Sequence, residues 1–163
     1  MVTVGIITVS DRSSKGLRED ASGPAIRQWA EGKGYVVRKE IIVPDEREDI
    51  RKALIDFSDS GIDLIVTTGG TGFAPRDVTP EATIAVIDKL APGFTEAMRM
   101  KSSQITPHAL LSRAVSGIRK GSLIINLPGS PKAVRENLGF IEDAIPHAVE
   151  LLQSGVNDCG SGL

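Results

Sequence analysis

Cysteine is almost missing from this sequence. Cys159 is the one example among 163 residues, so no intrachain disulfide can form and zinc sites built on paired cysteines are excluded. Aromatic residues make up only 4%, too few for the stacking platforms of common RNA-binding modules. No stretch reaches the ~18 consecutive apolar residues of a membrane span. Neither sign of charge dominates: 19 Lys and Arg face 21 Asp and Glu, a formal net charge of −2. That balance argues against bulk nucleic acid as a partner, which leaves a strongly basic footprint. It leaves room for a small anion, which backbone N–H groups can hold without adding to the charge count. The segment Met1–Ser10 is apolar but has no basic leader, and reads as a strand rather than a signal peptide. The expectation is one cytoplasmic domain over residues 1–153, with no membrane partner, and a patternless tail over 154–163.

What is present is alternation. Short β-branched runs at Val2–Val9, Tyr35–Val43 and Ile62–Thr68 read as strands, and Ser122–Leu127 pairs with Val115–Ile118 around Arg119-Lys120-Gly121 as a hairpin. Between them, apolar residues recur at helical spacing. Ala25–Glu31 stops at Gly32. A helix carrying Ile50, Leu54 and Phe57 stops at Gly61. Another opens at Thr79-Pro80, with Thr79 as N-cap, and aligns Thr83, Val86, Ile87 and Leu90. Phe94 to Ser103 follows, and a last helix, capped by Ser130, carries Val134, Leu138, Ile141 and Ile145 with a bend near Pro146. Such alternation predicts an α/β fold of three layers, α/β/α, with a mainly parallel central sheet. Ligands then sit beyond the carboxyl ends of the strands.

Three of those ends carry unusual loops: Ser10-Asp11, Gly69-Gly70-Thr71-Gly72, and Asn126 to Ser130 with Pro128 and Gly129 between. The glycine run has no Lys-Ser/Thr pair, so it is no P-loop, and Pro75 stands where a dinucleotide fingerprint needs its third glycine. A phosphate cradle and an ordinary strand-to-helix turn both remain open for it. Asp77 suits a magnesium ion or a helix N-terminus. Arg76 suits a phosphate or solvent. Asp45, with Glu48 three residues on, matches a capping box, a role compatible with a second use of the carboxylate. Ser102 has only a helix to mark it. His108 and His147 stand apart from each other, and no G-x-S-x-G occurs, so a hydrolase triad has no support.

Taken together, Thr8-Val-Ser-Asp11, Ser22-Gly-Pro24, Val43-Pro-Asp45, Thr67 to Gly72, Pro75 to Thr83, Ile105-Thr-Pro107, Leu111-Ser-Arg-Ala114 and Asn126-Leu-Pro-Gly129 resemble the molybdenum cofactor biosynthesis family of MogA/MoaB type, to which the G domain of gephyrin is also similar. The resemblance runs from about Val2 to Leu152. It implies an adenylyltransferase that joins AMP from Mg-ATP to molybdopterin, with Asp45 and Asp77 as catalytic and magnesium-binding residues. It also implies that the GGTG loop, Ser102 and the Asn126–Gly129 loop bind substrate, with Ser10, Asp11, Arg76 and Ser130 around them. Some relatives have Asn where this chain has Ser130. A homotrimer or hexamer is implied, as is a downstream metal-insertion protein as partner. Two further functions are carried by the same resemblance: a pterin-binding, oligomerising subunit without turnover, and a nucleotide pyrophosphohydrolase.

Overall fold

The computed structural model describes residues 1–155, so the expected tail lies outside the described residues from 156 onward. Four strands run parallel: β1 (Thr3–Val9), β2 (Val36–Val43), β3 (Leu64–Thr68) and β6 (Ser122–Leu127). Two short strands, β4 (Lys89–Leu90) and β5 (Ser116–Arg119), add antiparallel pairings beyond β6. The order across the sheet is β2-β1-β3-β6-β5-β4.

Strand periodicity sorts the core. Val4 and Ile6 of β1, Leu64 and Val66 of β3, and Leu123, Ile125 and Leu127 of β6 face one side. There they bury α2 (Ser22–Gly32), α5 (Gly93–Ser103), α6 (Pro131–Ile141) and α7 (Ile145–Ser154). The alternate residues Ile7, Val9, Ile65 and Ile124 face the other side, against α3 (Arg47–Asp59) and α4 (Thr79–Ile84). Both faces are thus covered, and the strands read as continuous apolar runs for that reason.

Several boundaries differ from the sequence reading, each for a traceable reason. The polar stretch after β1 holds a one-turn helix, α1 (Asp11–Ser14), capped by the Ser10 hydroxyl, and α2 begins at Ser22 rather than Ala25. The start is set by Asp20, whose Oδ1 accepts the N–H groups of Ser22 and Gly23 at 3.0 and 3.1 Å. Helix α4 ends at Ile84 instead of continuing to Leu90. The sheet edge captures the chain there: Asp88 N–H donates to Ile118 O at 2.7 Å, and Ala91 N–H to Ser116 O at 2.9 Å. Leu90 consequently stands 66% exposed. The N-cap of α4 is Val78, and Thr79 is freed for another bond described below. The expected bend near Pro146 is a break at residues 142–144, a 3₁₀ turn separating α6 from α7. The expected β5–β6 hairpin forms with a tighter turn: Arg119 pairs with Ser122, which leaves Lys120-Gly121 as the loop, with Lys120 in the left-handed region at φ 51°.

Candidate active site

The carboxyl ends of β1, β2, β3 and β6 all open on one edge of the sheet, and a cleft of about 460 Å³ lies beyond β3 and β6. It is lined by Gly70, Thr71, Gly72 and Asp77, by Ser102 of α5 and Asn137 of α6, and by Pro128 and Gly129. A smaller recess of about 130 Å³ lies on the other side of Gly69 and Gly129 and takes in Ser10, Ser13 and Ser22. The glycine loop is therefore a partition between two hollows.

The loop needs glycine for geometric reasons. Gly69 and Gly70 have φ of 96° and 67°, where side chains are strained. A Cβ on Gly69 would overlap the carbonyl of Val9, and one on Gly70 would overlap the Thr79 hydroxyl and lie 3.1 Å from Asp45 Oδ1. On Gly72 a Cβ would fall 2.9 Å from Asp77 Oδ2. Asp45 thus stands against Gly70 and Asp77 against Gly72, one carboxylate on each flank.

Asp45 is not the cap of α3. The N-cap is Glu46, whose side chain makes no capping bond. The Asp45 carboxylate is claimed from across the sheet edge: its Oδ2 accepts Asp11 N–H at 2.7 Å, and Asp11 Oδ1 accepts Asp45 N–H at 3.0 Å. Burial pushes the Asp45 carboxyl above the usual carboxylate value, and the charges of Asp11 and Asp77 add to the push. Asp11 behaves oppositely. Hydrogen bonds from Arg76, 3.0 Å from Nε and 2.9 Å from Nη2, hold it below its ordinary value. Arg76 also donates to Glu46 at 2.8 Å. Its guanidinium is therefore spent on two carboxylates, and of the expected site residues Arg76, Asp11 and Asp45 none is among those that line the cleft, whereas Asp77 is.

Two other expected contacts also turn away from the cleft. Asn126 is completely buried. Its Oδ1 accepts Val115 N–H at 3.0 Å, and its Nδ2 donates to the hydroxyls of Thr67 and Thr83, both at 3.0 Å. Thr83 in turn donates to Thr79 O, and the Thr79 hydroxyl to Gly69 O at 2.9 Å. This chain of bonds carries the glycine loop from below. Ser130 is the N-cap of α6, accepting Ala133 N–H at 3.1 Å.

The cleft also contains groups without a site role in the sequence reading: Arg99, Thr106, His108, Ser112 and Asn137. Asn137 Oδ1 lies 3.2 Å from the Ser102 hydroxyl and orients it. The signal for Thr106 and Ser112 lay in the Ile105-Thr-Pro107 and Leu111-Ser-Arg-Ala114 runs, which had no chemistry until the 3₁₀ turn Pro107–Leu111 brought them to the cleft. Nothing in the sequence separated His108 from a surface histidine.

With this geometry in place, the comparisons with known proteins are unambiguous. Residues 5–147 match the family model described as a probable molybdopterin binding domain. The molybdopterin adenylyltransferase of Helicobacter pylori is 49% identical over 93% of this chain and 88% of its own length. Gephyrin of Dictyostelium discoideum is 47% identical over 93% of this chain, which corresponds to 22% of that longer protein. Among solved structures, the molybdopterin biosynthesis enzyme MoaB of Thermus thermophilus superposes with a TM-score of 0.89 at 48% identity, covering 93% of this chain and 96% of the other. The chain shares the fold of the MoaB structure and belongs to the family described as a probable molybdopterin binding domain.

Proposed function

We propose that this chain is a molybdopterin adenylyltransferase of molybdenum cofactor biosynthesis, a nucleotidyltransferase whose substrates are molybdopterin and ATP. The observation that carries this reading is a pair of carboxylates set against one glycine loop: Asp77 lines the cleft beside Gly72, and Asp45, outside the lining of that cleft, stands against Gly70. It is supported by the name and 49% identity of the Helicobacter relative.

The chemistry suits the residues. An oxygen of the molybdopterin phosphate forms a new bond to the α-phosphorus of ATP. The bond from that phosphorus to the oxygen bridging the β-phosphate breaks, and pyrophosphate leaves with that oxygen. No enzyme-bound intermediate is required. Two anionic partners must be aligned and their charge offset, which is work for positioning and electrostatics. The N–H groups of Gly70 to Gly72 hold the molybdopterin phosphate, and Ser102, oriented by Asn137, marks the pterin side of the cleft.

Magnesium fits this donor set. Oδ2 of each aspartate takes a backbone N–H, from Asp11 onto Asp45 and from Ala74 onto Asp77, and the Oδ1 atoms remain as hard oxygen donors. Among the described residues no group of three or more His, Cys, Asp or Glu forms a complete metal cage. That suits an ion held by one or two carboxylates together with substrate phosphates and water. When bound, it would offset the triphosphate charge. The assembly we expect is a homotrimer; Phe73, Leu90 and Leu110, each about two-thirds exposed, offer apolar surface for contacts between copies.

The test is to incubate the purified protein with molybdopterin, magnesium and ATP and follow the products by mass spectrometry. Adenylylated molybdopterin and pyrophosphate are expected in equal amounts. Absence of the adenylylated product, under conditions where a molybdopterin adenylyltransferase forms it, would refute the reading.

A further inference from the structure

We infer that Arg113 is a positioning residue that fixes the Asp77 end of the cleft. It lies outside the cleft, in the segment between the 3₁₀ turn Pro107–Leu111 and β5, yet it gathers the far half of the glycine loop onto itself. Its Nε donates to Gly72 O and its Nη2 to Asp77 O, both at 2.8 Å. Its backbone N–H donates to Thr71 O at 2.8 Å. Its Nη1 is ion-paired with Glu81 of α4, which keeps the guanidinium from rotating out. Three carbonyls of one loop therefore accept from a single residue. The loop between Gly72 and Asp77 has few other fastenings: the turn bond from Asp77 N–H to Ala74 O at 2.9 Å, Ala74 N–H onto the Asp77 carboxylate at 3.0 Å, and the exposed Arg76 side chain on Asp11 and Glu46.

A planar fork is what the arrangement requires. The guanidinium spans two carbonyls and a carboxylate at fixed angles, whereas a lysine ammonium is a point charge on a flexible stem and cannot hold all three. With both carbonyls pinned, the Gly72 N–H and the Asp77 carboxylate keep a set separation across the cleft wall. Loss of the fork leaves the substituents of the reaction in place but misaligned, and misplacement by about 1 Å costs roughly a hundredfold in rate. Arg113 touches no substrate in this account. It acts through Asp77 and Gly72, and the inference rests on the adenylyl-transfer reading of the cleft.

The experiment compares the unmodified protein with Arg113→Lys and Arg113→Ala. In Arg113→Lys kcat should fall between about tenfold and a hundredfold. The KM for molybdopterin, whose phosphate the same loop holds, should rise by a smaller factor than kcat falls. A change that merely unfolded part of the protein would lower the active fraction and leave the kcat of the remainder untouched, which active-site titration resolves. In Arg113→Ala, added guanidinium ion should restore part of kcat, and methylammonium should not. Amide hydrogen exchange gives an arm that does not need turnover: peptides covering residues 70–77 should exchange faster in both variants while β1, β3 and β6 keep their protection. A kcat within twofold of the unmodified protein, or unchanged exchange over residues 70–77, overturns the inference. So does failure of both variants to fold, since Arg113 would then be serving the fold as a whole. If the unmodified protein shows no adenylyl transfer, the reading of the cleft fails, and the exchange arm alone decides whether Arg113 fastens the loop.

Discussion

The two ends of the loop between β3 and α4 are built from different materials. Its entry, Gly69-Gly70, is held by the backbone and by buried hydroxyls: Gly69 N–H donates to Leu127 O at 3.2 Å, Thr79 N–H to Gly70 O at 3.1 Å, and the Thr79–Thr83–Asn126 chain lies beneath. Thr79, Thr83 and Asn126 are completely buried. The exit, Gly72 to Asp77, is held by two arginines, Arg113 and Arg76, whose side chains are 34% and 54% exposed and ion-paired to carboxylates. The entry is rigid because it is part of the core. The exit is adjustable because its restraints are charged and partly solvated, one reaching in from Arg113 and one reaching out from Arg76. Asp77 belongs to the exit itself, whereas Asp45 comes from the turn between β2 and α3 and stands against Gly70 of the entry, so one carboxylate faces a fixed support and the other sits on a tunable one.

Substitution at the entry breaks the comparison most severely. Gly69→Ala introduces a side chain at φ 96° against the Val9 carbonyl. A backbone neighbour cannot rotate away, and the unfavourable conformation alone costs about 1–3 kcal/mol. Urea unfolding should show a loss of at least that size, and adenylyl transfer should fall to background. Next comes Asn126→Ala, which strips the partner from Val115 N–H and removes the donor to Thr67 and Thr83. A loss of about 2–3 kcal/mol is expected for the orphaned buried groups. Activity should fall with it at assay temperatures near the new Tm, although Asn126 touches no ligand.

Asp45→Asn sharpens the comparison through pH. Burial raises the Asp45 carboxyl above its ordinary value of 3.8, so the fold favours the protonated form. At neutral pH its ionised state therefore opposes folding, and that penalty shrinks as pH falls through the raised value. The Asn variant keeps an oxygen for Asp11 N–H and escapes the penalty. Its thermal stability should equal or exceed that of the unmodified protein at neutral pH, with the advantage vanishing in acid, while its activity drops sharply. In the unmodified protein the acid limb of the rate profile should lie at higher pH than for an unperturbed carboxylate. The smallest effect belongs to Arg76→Ala. Its pairs with Asp11 and Glu46 are exposed and screened, so activity at moderate salt should remain within about threefold. Raising the salt should speed hydrogen exchange over residues 72–77 and leave residues 69–70 unchanged.

The same contrast explains what was legible in the sequence. The strands β1, β3 and β6 were readable because burial on both faces leaves an unbroken β-branched run. The glycine loop was readable because its backbone demands it, and the α3 face because Ile50, Leu54 and Phe57 recur at helical spacing. The capping-box match at Asp45 did not form because the competing donor, Asp11 N–H, lies 34 residues away and was not readable locally. Asn126 looked like a ligand because its loop position is that of one; only the packing of Thr67 and Thr83 beneath the sheet turns it inward. Arg113 stood in the Leu111-Ser-Arg-Ala114 run but had no readable role there, since its partners Gly72 and Asp77 are 41 and 36 residues distant. Local demands on the backbone are written locally, whereas side-chain restraints assembled across the fold are not.

The central claim, that transfer occurs between the two aspartates on the flanks of this loop, is tested most directly by single-turnover adenylyl transfer in Asp45→Asn and Asp77→Asn. Saturating molybdopterin and Mg-ATP are used, and folding is verified by circular dichroism. The account predicts that each variant binds molybdopterin yet forms adenylylated product at least about a hundredfold more slowly than the unmodified protein. Product formation at the unmodified rate in either well-folded variant would contradict it.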